Sequence, residues 1–226
     1  MLKAAFSLDT LLTALRNTGG GDPHPVFAGG LRYIPPSAKN HVNRAAFEEL
    51  SEYGFTQGNG FTPEFEDVLH LIDRPATELH AYARDLTEQI GILAVATGRT
   101  AVTVVCRGNR VELDGVSPDT HLADALVAKL PPGEPAAIKP FTLPQADFRP
   151  DQPVSDVFDD APARSREAQE LDALLQQPHF GVGQLRTDGK TVSYLDLEAG
   201  RVGIALADGF ISVVPGAPKQ LSGKLR

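Results

Sequence analysis

The 226-residue chain carries a formal net charge of −8, 42% hydrophobic residues and a single cysteine, which suits one substantial domain or two small ones with a buried core. Net acidity without a dense Lys/Arg run excludes the electrostatic footprint of a nucleic-acid binder. The lone Cys106 excludes an intrachain disulfide framework and a multi-thiolate zinc site, and fits a reducing compartment.

In chain order, MLKAAFSLDTLLTALRNTGGG opens with a lysine and apolar residues, but Asp9, Thr10 and Thr13 interrupt the run. It reads as a helix rather than a signal peptide, capped by Ser7, with Leu8, Leu11, Leu12 and Leu15 on one face and an end at Asn17 to Gly21. No segment approaches the roughly 18 unbroken apolar residues of a membrane span, so no membrane insertion and a cytoplasmic location are expected. After a Gly- and Pro-rich loop, RAAFEELSEYG places Phe47, Leu50 and Tyr53 on one helical face, ended by Gly54. Thr62 and Pro63 then open a helix carrying Phe65, Val68, Leu69 and Ile72, stopped at Arg74-Pro75.

From Thr77 the period changes to two. ELHAYARDL, GILAVATG, TAVTVVC and RVELDG predict an antiparallel meander, followed by a helix opened at Ser117-Pro118-Asp119 with Leu122, Ala125, Leu126 and Lys129 on one side. Asp147 to Arg164, rich in Pro and Asp, reads as a mobile linker. Ser165 caps a further helix with Ala168, Leu171, Leu174 and Leu175, and FGVGQLR, TVSYLDL, RVGIALA and FISVVP form a second meander before a short terminal helix in PKQLSGKLR. The repeated order of strand, glycine turn, strand, break and Leu-spaced helix suggests one domain of two related halves, about 1–135 and 136–226, pooling strands into an α+β fold.

No residue pattern points to catalysis, a cofactor or a metal. His24, His41, His70, His80, His121 and His179 are scattered, and none forms HxH or HExxH. Asp151, Asp156, Asp159 and Asp160 lack the order of a calcium loop. Gly19-Gly20-Gly21 lacks the Lys-Ser/Thr of a P-loop, and no GxSxG elbow occurs. Cys106 reads as a small buried hydrophobe, and Arg201 as a solvated or salt-bridged residue rather than a ligand clamp.

Asp208-Gly209 predicts a type I′ hairpin that pairs Leu206 with Ile211 and Ile204 with Val213 on an aliphatic face. The other face, with Gly203, Ala205, Ala207, Phe210, Ser212 and Val214, is small and nearly uncharged. It is either covered by the chain's own C-terminal helices or left to receive a partner's helix. The matching hairpin around Gly108-Asn109 carries Thr103, Val105, Arg107, Arg110, Glu112 and Asp114 on its second face, a pattern that predicts solvent exposure.

LHLIDRPATELHAYAR (Leu69 to Arg84), AVTVVCRGNRVEL (Ala101 to Leu113) and the tail FGVGQLRTDGKTVSYLDLEAGRVGIALADGFISVVPG resemble the EspG family of ESX (type VII) secretion-associated proteins of actinobacteria. The tail follows the family pattern G-x-G-Q, D-x-x-x-G-R and D-G-[FW]-x-x-V-x-P, and the resemblance spans most of the chain. It implies a central antiparallel sheet flanked by two helical bundles in two pseudo-symmetric halves. It also implies a non-enzymatic cytosolic chaperone that holds the apolar helical tip of a PPE protein in a PE–PPE heterodimer. The chain departs from the pattern in its short length, its lack of Trp and the short turn after Arg84, where some relatives grip the substrate. Under this resemblance the partner-binding residues are Gly203, Ala205, Phe210, Ser212 and Val214, with Asp85, Leu86, Thr87, Glu88 and Gln89 in the first half. The alternatives are a regulatory or structural module for another protein, and a small-molecule enzyme with dispersed residues.

Overall fold

Ser7 ends one element and begins the next. Strand β1 (Lys3–Ser7) leads directly into helix α1 (Leu8–Asn17), whose N-terminus is satisfied when the Ser7 hydroxyl accepts the Thr10 N–H at 3.1 Å. Glu49 completes the join. Its carboxylate accepts the Ser7 N–H and hydroxyl at 2.9 Å each and the Thr10 hydroxyl at 2.5 Å. The computed structural model describes residues 2–148 and 165–226 and divides into two units, Met1–Leu130 and Pro131–Arg226.

In the first unit, α2 (Lys39–Ser51) supplies Glu49, Ala46 and Leu50, while Tyr53 falls beyond the helix and donates its hydroxyl to the Ala5 carbonyl. A small hairpin, β2 (Thr56–Gln57) and β3 (Gly60–Phe61), brings Phe61 and the preceding Phe55 against Phe65. Helix α3 (Pro63–Asp73) begins as the sequence predicts, with the Thr62 hydroxyl accepting the Phe65 N–H at 3.3 Å. The meander follows as β4 (Thr77–Asp85), β5 (Gln89–Thr97), β6 (Thr100–Arg107) and β7 (Arg110–Gly115), and β1 joins it antiparallel to β7. Leu8, Leu11, Leu12 and Leu15 of α1 and Phe65, Leu69 and Ile72 of α3 bury Leu93, Val95, Val102, Val104, Val111 and Leu113 on one sheet face. Each such leucine contributes about 2 kcal/mol relative to exposure.

The opposite face corrects the exposure expected for Thr103 and Val105. Helix α4 (Leu122–Val127) packs on β4, β5 and β6, and Thr103 and Val105 are buried at 1% and 2% exposure. Arg107, Glu112 and Asp114 flank this buried strip in ion pairs. Arg107 meets Glu88 and Glu112 at 3.5 Å each, and Lys129 meets Asp114 at 2.5 Å. The helix opens at His121, whose Nδ1 accepts the Ala123 N–H, four residues later than the predicted Ser117.

The second unit repeats the order. Strand β8 (Phe141–Pro144), helix α5 (Arg166–Leu175), the meander β9 (His179–Thr187), β10 (Lys190–Leu197), β11 (Gly200–Ala207) and β12 (Phe210–Pro215), then α6 (Pro218–Leu225) follow in turn. Here β8 pairs antiparallel with the last meander strand, as β1 does with β7. Asp147 ends a 3-10 turn, Gln145–Asp147, and 149–164, most of the expected linker, lies outside the described residues. Mixed helices and antiparallel strands give the α+β class the sequence implies.

Glu49→Ala leaves the Ser7 N–H and the Thr10 hydroxyl without their acceptor, and is expected to lower unfolding free energy by about 2–3 kcal/mol in urea titration. Glu49→Gln retains one acceptor and is expected to lose less.

Candidate protein-binding surface

The hairpin of β11 and β12 has the predicted register: Leu206 pairs with Ile211, Ile204 with Val213, Ala205 with Ser212 and Gly203 with Val214. Asp208 and Gly209 both adopt positive φ, 51° and 78°, as a type I′ turn requires. Its small face is filled by the chain itself. Helix α6 packs on β9, β10 and β11, and a Cβ added at Gly203 would lie 2.7 Å from a Leu221 methyl. Gly203, Ala205 and Val214 are buried there, and Lys224 donates to the Ser212 hydroxyl at 2.8 Å. The helix received by this small face is therefore the protein's own, which corrects the expectation that Gly203, Ala205, Ser212 and Val214 lie open to a partner. Phe210, at the hairpin tip beyond α6, remains 49% exposed.

Arg201 organises the same face. It is 5% exposed, donates to both Asp196 oxygens at 2.6 and 2.8 Å, and stacks its guanidinium 4.1 Å from the Tyr194 ring centre. Burial works against its charge, but the hydrogen bonds and field of Asp196, with Tyr194, outweigh that penalty and hold its pKa above the ordinary value. Glycines make the room. A Cβ at Gly181 would lie 2.7 Å from Asp196, at Gly183 2.2 Å from the Tyr194 ring, and at Gly216 2.2 Å from the Arg201 Cγ. Arg201 is thus a buried ion pair with no opening toward a ligand.

The other face of this sheet is covered unevenly. Ala168, Leu171 and Leu174 of α5 close over Leu143, Val202, Ile211 and Val213. On β9 and β10, the cross-strand rows of the same face carry Val182 with Leu195, Gln184 with Ser193, and Arg186 with Thr191. All but the exposed Arg186 are half-buried, and Leu206 on the neighbouring strand is 51% exposed. The result is a strip of short polar and aliphatic side chains beside α5. The strip is not visible in the sequence because the alternation of TVSYLDL does not show which face a helix covers.

In the first unit, Asp85 to Gln89 make the turn between β4 and β5. The Asp85 carboxylate accepts the Thr87 hydroxyl and N–H at 2.7 Å each and the Glu88 N–H at 2.9 Å. Those bonds, the Thr87 hydroxyl first, hold its pKa below the ordinary carboxylate value. The turn lifts Leu86 to 79% exposure. Cys106 offers no reactive thiol, since burial pushes its pKa up to about 12.

The family model described as the EspG family matches residues 7–226. The chain belongs to the EspG family. The structure is similar to the type VII secretion system chaperone EspG5 of Mycobacterium tuberculosis, solved in complex with a PE25–PPE41 dimer. The TM-score is 0.68 at 12% sequence identity, covering 99% of this chain and 94% of that one. No curated protein matches the sequence. In this EspG-family chain, the motif residues Gly181, Gly183, Asp196 and Arg201 that carry the sequence resemblance build the buried ion pair and its clearance, whereas Gln184 of the same G-x-G-Q motif lies on the half-buried strip. Among the described residues, no helix is long and apolar enough to cross a membrane.

Arg201→Met strands the Asp196 carboxylate and is expected to destabilise by about 3–5 kcal/mol in denaturant unfolding, whereas Arg201→Met combined with Asp196→Leu recovers part of the loss. Ala205→Arg forces a guanidinium under α6, and calorimetry should find it melting as far below wild type as Ile204→Arg does.

Proposed function

We propose that the protein is a non-enzymatic, cytoplasmic chaperone of type VII secretion that binds the apolar helical tip of a PPE-like protein in a PE–PPE-type heterodimer. Family membership across residues 7–226 carries this reading, and the likeness to EspG5, whose solved complex contains a PE25–PPE41 dimer, supports it. The mechanism is burial of apolar surface, so that the tip is withheld from self-association until export. Net charge of −8 keeps the chaperone itself soluble.

Two surfaces suit that task, each within one unit. In the second unit, the strip of Val182, Gln184, Ser193 and Leu195 combines the short Ser193 with flanking aliphatic and amide side chains against which a helix can pack, with Leu206 at its margin. Phe210 adds an exposed aromatic at the hairpin tip. In the first unit, the turn Asp85, Leu86, Thr87, Glu88 and Gln89 presents one large apolar side chain on a backbone already fixed by Asp85. A fixed turn loses little conformational freedom on binding.

Co-expression with a PE–PPE pair followed by gel filtration is expected to yield a stable complex. Ser193→Arg and Leu86→Asp should each melt within about 2 °C of wild type and weaken capture at least about tenfold. Full capture by both variants places the binding surface elsewhere, and wild type that retains no PE–PPE pair refutes the chaperone reading.

A further inference from the structure

Three side chains that neither surface uses converge in the first unit. Glu78 and His80 stand two residues apart on β4 and so project from the same face of the strand. His24, which caps the 3-10 helix Pro25–Gly30, meets them from 54 residues away in sequence. His24 Nε2 lies 2.9 Å and His80 Nδ1 3.3 Å from one atom, Glu78 Oε1, and the two imidazole centres are 5.0 Å apart. The three donor atoms all fall within 4.8 Å of one another. Both imidazoles are largely buried, at 14% and 21% side-chain exposure, while Glu78 at 37% opens the cluster to water.

We propose that His24, Glu78 and His80 form a binding site for a divalent transition metal of the zinc class. A tetrahedral ion with bonds of about 2.0–2.1 Å holds its ligand atoms roughly 3.3 Å apart, so the 2.9 and 3.3 Å separations at Glu78 already approximate two edges of that tetrahedron. Two neutral imidazoles and one carboxylate leave a single negative charge opposite the dication, and the open side accommodates a water as fourth ligand. The mixed nitrogen and oxygen donors select zinc over magnesium or calcium, which require oxygen.

The proton inventory sets a limit on affinity. His24 Nδ1 accepts the Val26 N–H at 3.1 Å, so without metal the ring proton sits on Nε2 and is donated to Glu78. An ion that takes Nε2 displaces this proton, and the neutral ring then carries it on Nδ1, where it can no longer accept from Val26. Metal binding therefore exchanges one helix cap and one hydrogen bond for coordination, with no net change in the charge of His24. That exchange makes the site weaker than a preformed structural zinc centre.

Chelator-treated full-length protein titrated with zinc chloride by calorimetry is expected to bind one equivalent saturably and to melt several degrees higher, with no response to magnesium chloride. Cobalt substitution should give the visible bands of a tetrahedral site. Glu78→Gln and His80→Gln, each checked for folding by circular dichroism, should weaken zinc binding at least about tenfold and abolish the cobalt bands. His41→Gln and His179→Gln, at exposed positions, should change neither. The site is refuted if wild type shows no saturable one-equivalent binding, or if the Glu78→Gln/His80→Gln double variant binds zinc as wild type does.

Discussion

Burying the guanidinium of Arg201 constrains the second unit more than any other single interaction. A charge withdrawn from water costs several kcal/mol unless its partner and geometry are both supplied, and here Asp196 supplies a two-pronged acceptor while Tyr194 supplies a ring face. Space is the second requirement. Gly133, Gly181, Gly183 and Gly216 each leave out a Cβ that would fall within 2.8 Å of Arg201, Asp196 or Tyr194. The backbone of Arg201 is equally committed: its N–H donates to Glu134 at 2.6 Å, and its carbonyl accepts from Ala136 at 2.9 Å and Gly216 at 2.7 Å. Three chain segments are thus joined at one residue, and α6 can follow β12 closely enough to cover the small face.

Much of this was legible in the sequence because it is encoded locally. The caps at Ser7, Thr62 and Ser165, the meanders and the Asp208-Gly209 turn each depend on a few neighbouring residues, and each forms where the residues place it. The strands β1 and β8 were not legible, because KAAFS and FTLP are too short to carry a period and exist through pairing with β7 and β12. Thr103 and Val105 were misassigned for a different reason. Alternation with Arg107, Glu112 and Asp114 resembles a solvated face, yet those charges satisfy one another, or Lys129 and Glu88, around the strip that α4 buries.

Sites assembled across the chain lie further from sequence reading. HxH and HExxH each set two histidines at strand or helix spacing, whereas the proposed donor set needs only Glu78-Leu79-His80 on a strand. The third donor arrives from the cap of a distant helix. An E-x-H within a period-two segment is the local signal available, and it remains ambiguous until topology delivers His24.

The small face and the strip beside α5 illustrate how side-chain size alone misleads about binding. Gly203 and Ala205 are small because α6 must approach them, and a helix tethered to β12 reaches that face at a high effective concentration that a separate partner cannot match. An intermolecular site is more readily kept where no chain segment competes. On the proposed strip, Ser193 and Gln184 are half-buried among the described residues, polar enough to remain solvated and flanked by Val182 and Leu195, which would gain from burial against a helix. Leu86 faces the converse problem, since a large exposed apolar residue invites unspecific contact. Holding it on an acidic turn, between Asp85 and Glu88, surrounds it with charge that discourages association except by a surface able to bury the leucine while leaving those carboxylates in water.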